Sequence, residues 1–239
     1  MMMMVGSAAG RMVHRCVERN ARGIAIRFAS SLVSVSFPSG NPCAVWLMGV
    51  PGSGKTYALK RIFPSDCAIQ LLDLDLVMKH HPEYDPNSPS DLYEKKQAYS
   101  WANEQIEAEL ARRIDAPKRG DIIVVDGTGS HCERNRRRMQ MTRAAGFTNM
   151  CLFVDVTFET AMRRNATRDR QVPKDIMTSY LSKVEDAVAA MRSDPLVDQF
   201  LVLDNNVDDG LAGRERWESN YEKVWEESVR KGAFFTYKQ

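Results

Sequence analysis

The chain has 239 residues, 44% of them hydrophobic and 27% charged, with a formal net charge of +2. That length holds one large core with appendages, and the composition excludes a disordered or fibrous chain. No apolar run approaches the roughly 18 residues that cross a bilayer, so no membrane association is expected.

The small net charge hides an asymmetry. Residues 1–40 carry five of the 33 Lys and Arg and one of the 31 acids, a net of +4, which leaves 28 bases against 30 acids beyond them. A body with a slight acid excess argues against broad nucleic-acid binding. Five cysteines (Cys16, Cys43, Cys67, Cys132, Cys151) form no CxxC pair, and the four histidines show no ligand spacing. Reduced, buried thiols in an intracellular protein and no structural zinc are the expectation.

Residues 1–40 read as a basic N-terminal extension. Arg11, Arg15, Arg19 and Arg22 fall at spacings of 4, 4 and 3, one face of a helix, and a Ser-rich tail runs from Ser30 to Ser36. Basic, amphipathic and nearly free of acids, residues 1–36 have the make-up of an organellar transit peptide, mitochondrial or plastid. Without such a signal the protein is expected in the cytoplasm. The turn-rich Pro38-Ser39-Gly40-Asn41-Pro42 marks a boundary, with a second unit over residues 41–239.

That unit opens with the apolar run Cys43–Met48, then Gly49-Val50-Pro51-Gly52-Ser53-Gly54-Lys55-Thr56, then a helical stretch. Strand, glycine loop and helix together make a GxxxxGK[ST] phosphate-binding loop. Gly49, Pro51, Gly52, Ser53 and Gly54 shape a backbone whose N–H groups face an anion at a helix N-terminus. Lys55 reaches the outer phosphates and the Thr56 hydroxyl can ligate Mg²⁺. A nucleoside triphosphate, ATP, is the expected ligand.

Further apolar runs at 68–72, 122–125, 150–154 and 200–203 alternate with helical patterns at 55–63, 91–114, 133–145, 158–168, 174–191 and 214–230. The expected fold class is α/β: a P-loop kinase-type parallel sheet of about five strands, helices on both faces, and an Arg-rich lid. Ligands in such sheets sit beyond the strands' carboxyl ends.

Each strand end then becomes a place to look for chemistry. Asp73 and Asp75 alternate with leucines, so an extended run would put both on one face, where a carboxylate can accept the proton of an attacking hydroxyl. Helix capping by Asp75 is the structural alternative. Asp126, ending Ile-Ile-Val-Val125, has the form of a Walker B acid that holds Mg²⁺, with Gly127 and Thr128 following. Arg134, Arg136, Arg137 and Arg138 crowd one helix and read mainly as a solvated face, with substrate-phosphate contact as the second reading. Arg163, Arg164, Arg168 and Arg170 precede Pro173; Arg164 and Arg168, four apart, would share a helix face over the phosphates. Leu203-Asp204-Asn205-Asn206 reads as a turn, with contact to a base ring as the alternative. Trp217, Tyr221, Val224 and Trp225 at helical spacing read as a packing face.

The phosphate loop, Asp73-x-Asp75, His81-Pro82-Glu83-Tyr84-Asp85, Asp126-Gly127-Thr128 and the arginine segment ending in Arg170-x-Val172-Pro173 resemble the zeta-toxin-like P-loop kinases, a set that extends to polynucleotide kinases. The resemblance covers roughly residues 44–205. It implies transfer of the ATP γ-phosphate, with Mg²⁺, to a hydroxyl of UDP-N-acetylglucosamine or a related nucleotide-sugar. By position it implies Asp75 as catalytic base and Lys55 as phosphate-binding lysine. Asp73, Asp126 and Thr128 fall at the substrate end, Thr56 and Asp126 at the metal, and two of Arg164, Arg168 and Arg170 in the lid. Asp126 stands where the family usually has Glu, Met78 stands where it has a basic residue, with Lys79 next door, and the Arg163–Pro173 segment looks more like a polynucleotide-kinase lid. A polynucleotide 5′-hydroxyl kinase is therefore the alternative. A non-catalytic nucleotide switch and an ATPase acting on a partner protein are readings of another class, and no obligate protein partner is evident.

Overall fold

The protein is described here by a computed structural model covering residues 24–28, 31–35, 41–63, 69–88, 91–92, 95–168 and 170–206. The arginine stripe at 11–22, Asp169 and the packing helix expected at 214–230 lie outside the described residues. Strands β1 (Ile24–Phe28) and β2 (Ser31–Val35) pair antiparallel. Residues Ser31–Val35 of the Ser-rich segment are thus strand where the sequence suggested a tail, in keeping with the β-branched Val33 and Val35.

From there the chain runs β3 (Cys43–Met48), α1 (Lys55–Ile62), β4 (Ile69–Asp73), α2 (Leu74–Met78) and α3 (Lys96–Ile114). It continues through β5 (Ile122–Asp126), α4 (Cys132–Ala144), β6 (Thr148–Asp155), α5 (Phe158–Asn165), α6 (Lys174–Arg192) and β7 (Gln199–Asp204). The five strands form one parallel sheet in the order β4-β5-β3-β6-β7. This is the expected P-loop kinase α/β fold.

All six residues of β3 are buried, as a central parallel strand requires. Alternation splits them between two cores. Ala44, Trp46 and Met48 pack with α2 to α6, while Cys43, Val45 and Leu47 pack with Ala58, Leu59 and Ile62 of α1. Each large side chain so buried contributes about 1.5–3 kcal/mol. Asn149, 0% exposed, ties α4 to the sheet. Its Oδ1 accepts from Trp46 Nε1 (3.0 Å) and Thr142 Oγ1 (2.6 Å), and its Nδ2 donates to the Met139 carbonyl (3.0 Å).

Local departures from the sequence reading have physical causes. The helix expected from 91 begins at Lys96, because Lys95 is extended (φ −85°, ψ 109°). The helix expected to reach 168 stops at Asn165, whose buried side chain turns the chain back. Its Nδ2 donates to the Val172 carbonyl (2.8 Å) and its Oδ1 accepts from Val172 N (3.0 Å). Arg168 therefore lies past the helix and shares no helical face with Arg164. Pro173 occupies the N-cap position of α6, where its missing N–H costs nothing.

Candidate active site

The carboxyl ends of β3, β4 and β5 converge. Gly49, Gly52 and Gly54 adopt φ of 147°, 82° and 85°. The last two are left-handed and crowded: a Cβ on Gly52 would meet the Ala161 carbonyl oxygen at 2.4 Å, and one on Gly54 would meet Asn205 Nδ2 at 2.4 Å. These close approaches leave room for glycine alone. Between them Ser53 is fully buried with its Oγ lacking a hydrogen-bond partner. Gly49 N donates to the Thr128 carbonyl (3.0 Å), which locks the loop to the segment after β5.

Lys55 curls back over the loop, its Nζ donating to the carbonyls of Gly49 (3.0 Å) and Val50 (3.3 Å). Burial lowers its pKa, against the opposing pull of Asp126, Asp75 and Asp73; Arg168 pushes in the same direction as burial. Thr56 follows in the first turn of α1. Asp73 and Asp126 are register partners at the ends of β4 and β5. Burial, then the charge of Asp73, raises the Asp126 pKa, with Lys55 pulling it down.

Asp73, not Asp75, caps the helix after β4: its Oδ1 accepts from Asp75 N (2.8 Å) and Leu76 N (3.3 Å). The strand ends at Asp73 and the chain turns helical at Leu74, so the two acids do not alternate along one strand face. Asp75 lies in the first turn of α2, and its Oδ2 accepts from Arg170 Nη2 at 3.1 Å. The other arginines spread along the site. Arg164 Nη1 lies 3.8 Å from where a Gly54 Cβ would stand, and Arg168 acts on both Lys55 and Asp126. Arg163 is exposed. The Thr128 hydroxyl contacts Ser130 Oγ (2.8 Å).

The His81–Asp85 run packs on α3: His81 meets the Trp101 ring edge-on at 5.0 Å, and Glu83 pairs with Lys95. The arginines of α4 are a solvated face only in part: Arg137 is exposed, Arg134 and Arg136 are half-buried, and Arg138 is buried. Arg136 pairs with Asp194 (2.6 Å), Arg137 with Glu107 (2.5 Å), and Arg138 is 4% exposed. Two residues of the site were not assigned to it from the sequence. Asn205 is buried and donates from Nδ2 to the Ser53 carbonyl (2.8 Å), joining the end of β7 to the phosphate loop. Its signal was its place just after an apolar strand, close to where Asp126 stands at the end of β5. Tyr99 senses Asp75, Arg170 and Tyr180, and no motif pointed to it.

Among the described residues no three His, Cys, Asp or Glu side chains are grouped to hold a metal unaided. Mg²⁺ does not need such a cage, since it is bound through one or two protein oxygens and substrate phosphates. The Asp126 carboxylate, crowded by Asp73 and beside Lys55, fits that role, and the Thr56 hydroxyl in the first turn of α1 is of the right chemistry to join it. Among the described residues no helix is long and apolar enough to cross a membrane.

A family model described as an AAA domain matches residues 45–191, well over half of the chain. Solved structures of similar fold include one from the PezAT chromosomal toxin–antitoxin system of the human pathogen Streptococcus pneumoniae. It is 12% identical, with 77% of this chain and 87% of that chain covered and a TM-score of 0.51. Another is the AvrRxo1-ORF1:AvrRxo1-ORF2 complex with sulphate ions, at 16% identity and a TM-score of 0.54. There 71% of this chain is covered, spanning 56% of the matched chain. At such identities the likeness is one of fold. No curated protein matches the sequence.

Proposed function

The chain belongs to the AAA domain family, and on that premise we propose that it is an ATP-dependent phosphotransferase acting on a hydroxyl of a small metabolite. The observation that carries this reading is the meeting of Lys55, Asp126, Asp73 and Asp75 with Arg168 and Arg170 beside the glycine loop. An ATPase needs the loop, Mg²⁺ and a way to place water. A carboxylate two residues beyond β4, facing the lid, supplies in addition a proton acceptor for an organic hydroxyl.

In this reading the triphosphate lies on the N–H groups of Gly49 to Thr56, and Lys55 leaves its loop carbonyls for the phosphate oxygens. Thr56 and Asp126 would hold Mg²⁺, which would supply positive charge against the phosphates. The acceptor oxygen attacks Pγ and its proton passes to Asp75. The bond from Pγ to the ADP oxygen breaks and ADP leaves. Arg164, Arg168 and Arg170 offset the charge gathering on the transferred group. Asp73 and Thr128 line the acceptor end. The motif resemblance favours a nucleotide-sugar such as UDP-N-acetylglucosamine as acceptor. The look of the lid segment favours, as runner-up, a polynucleotide 5′-hydroxyl.

Labelled ATP, Mg²⁺, a metabolite extract and a 5′-hydroxyl oligonucleotide test the reading together. Label is expected in a small metabolite, with transfer lost in Asp75→Asn and both binding and transfer lost in Lys55→Ala. Label in the oligonucleotide selects the runner-up. Phosphate release with no labelled acceptor, or full activity in Asp75→Asn, overturns the assignment of the base.

A further inference from the structure

The lid is closed by a side chain that takes no part in the chemistry above. Helix α5 is seated on the phosphate loop, where a Cβ on Gly52 would meet the Ala161 carbonyl oxygen at 2.4 Å. One turn further along α5, Asn165 ends the helix and is 3% exposed. Its amide grips the chain seven residues on: Nδ2 donates to the Val172 carbonyl (2.8 Å), and Oδ1 accepts from Val172 N (3.0 Å). A carboxamide offers a donor and an acceptor side by side, as a peptide group does. Asn165 thus stands in for a strand partner to Val172, which is itself buried.

Between the clamped ends run residues 166–171. Among those described none is buried, so their path is not set by burial. Polar bonds shape it instead. Gln171 Nε2 donates to the Ala166 carbonyl (3.0 Å), and Thr167 Oγ1 donates to the Arg164 carbonyl (2.9 Å). This loop carries Arg168 and Arg170. Arg170 Nη2 is set 3.1 Å from Asp75 Oδ2, and the charge of Arg168 is felt at Lys55 and at Asp126. Such groups help most when they are already aimed at the place where charge develops. A misplacement of about 1 Å can cost about 10² in rate. Freed of the clamp, an exposed loop gains many conformations, and both arginines move with it.

We propose that Asn165 is a positioning residue for phosphoryl transfer: by clamping Val172 it presets the loop so that Arg168 and Arg170 reach the transferred group and the base together. Asn165 itself touches neither nucleotide nor acceptor. The inference rests on the phosphotransferase reading, and its test needs no acceptor.

The affinity of the full chain for MgADP is measured alone and with aluminium fluoride, which stands in for the transferred phosphoryl group. Wild type is expected to gain at least about a hundredfold on adding the fluoride. Asn165→Ala is expected to lose at least about tenfold of that gain, with affinity for MgADP alone unchanged. In an Arg168→Ala, Arg170→Ala background the same change should cost nothing further, because a residue acting through the arginines has nothing left to position. A full gain in Asn165→Ala, an equal loss of MgADP affinity, or a further loss in the arginine-free background each overturns the proposal. Gln171→Ala, an exposed change that removes the loop's other amide bond, is expected to lose at least about threefold of the gain. Where Asn165→Ala does not fold, an undiminished gain in Gln171→Ala overturns the proposal. Wild type showing no gain fails the phosphotransferase reading and this inference with it. A full gain in both wild type and Asn165→Ala removes the role of the clamp and leaves that reading standing.

Discussion

Arg170 Nη2 donates a 3.1 Å hydrogen bond to Asp75 Oδ2, joining residues 95 apart in sequence. The pair links the lid to the carboxylate assigned as base. On the proposed kinase reading, an acceptor reaching Asp75 would displace or share this guanidinium. Asp75→Asn is expected to slow transfer by about 10²–10⁴, with ATP affinity retained. Arg170→Ala is expected to slow it by at least about 10³. Because the two side chains touch, the double variant should lose less than the product of the two losses. Single-turnover transfer and nucleotide titration check all three.

Asn205 supports the phosphate loop from the far edge of the sheet. Asn205→Ala leaves the buried Ser53 carbonyl without its donor, a loss of about 1–3 kcal/mol. The expected result is a roughly tenfold weaker Kd for ATP, each tenfold being about 1.4 kcal/mol, with little change in kcat at saturation. Asn205→Asp should be worse, since a carboxylate cannot donate to Ser53 and repels phosphate. Fluorescent-nucleotide binding measures both.

Gly52→Ala sets a Cβ 2.4 Å from the Ala161 carbonyl oxygen at a φ of +82°. The loop must move to relieve it, and ATP binding is expected to be lost while the far-UV CD spectrum keeps its native form.

Asp126 gives the unliganded protein a pH dependence. Burial first, and Asp73 second, push its pKa from 3.8 up to about 8. The folded chain therefore holds a proton that the unfolded chain has released. This contribution to stability is present in full below about pH 4 and is lost as pH rises through about 8. Asp126→Asn removes the effect, so the Tm of the variant should gain on wild type between pH 5 and pH 8, without nucleotide. A Tm difference that is flat or reversed over that range rejects the assignment.

Asn149→Ala orphans Trp46 Nε1 in the core, leaves Thr142 Oγ1 with the Met139 carbonyl alone, and opens a gap. A loss of about 2–4 kcal/mol is expected, read as a lowered urea midpoint. Asn149→Asp should fare no better, because its carboxylate cannot donate to the Met139 carbonyl.

The fold and half the site were legible in the sequence because they rest on local chemistry. The run Cys43–Met48 is apolar on both faces, so it had to be a central parallel strand. Three glycines and a lysine at fixed spacing meet the steric demands of a phosphate loop within eight residues. Asp126 announced itself by ending an apolar strand. Other features needed the third dimension. Asp73 rather than Asp75 became the cap because the chain turned helical one residue after the strand, which no alternation of Asp and Leu encodes. The α4 arginines read as a solvated face because charge alone was visible, whereas Asn103, Glu107 and Asp194 bury or pair them from distant parts of the chain. Asn205 reaches Ser53 across 152 residues. Short-range spacing constrains backbone shape, and so it survives in one dimension; which side chains meet across the sheet depends on how strands are ordered and helices packed, and the tertiary structure alone decided that.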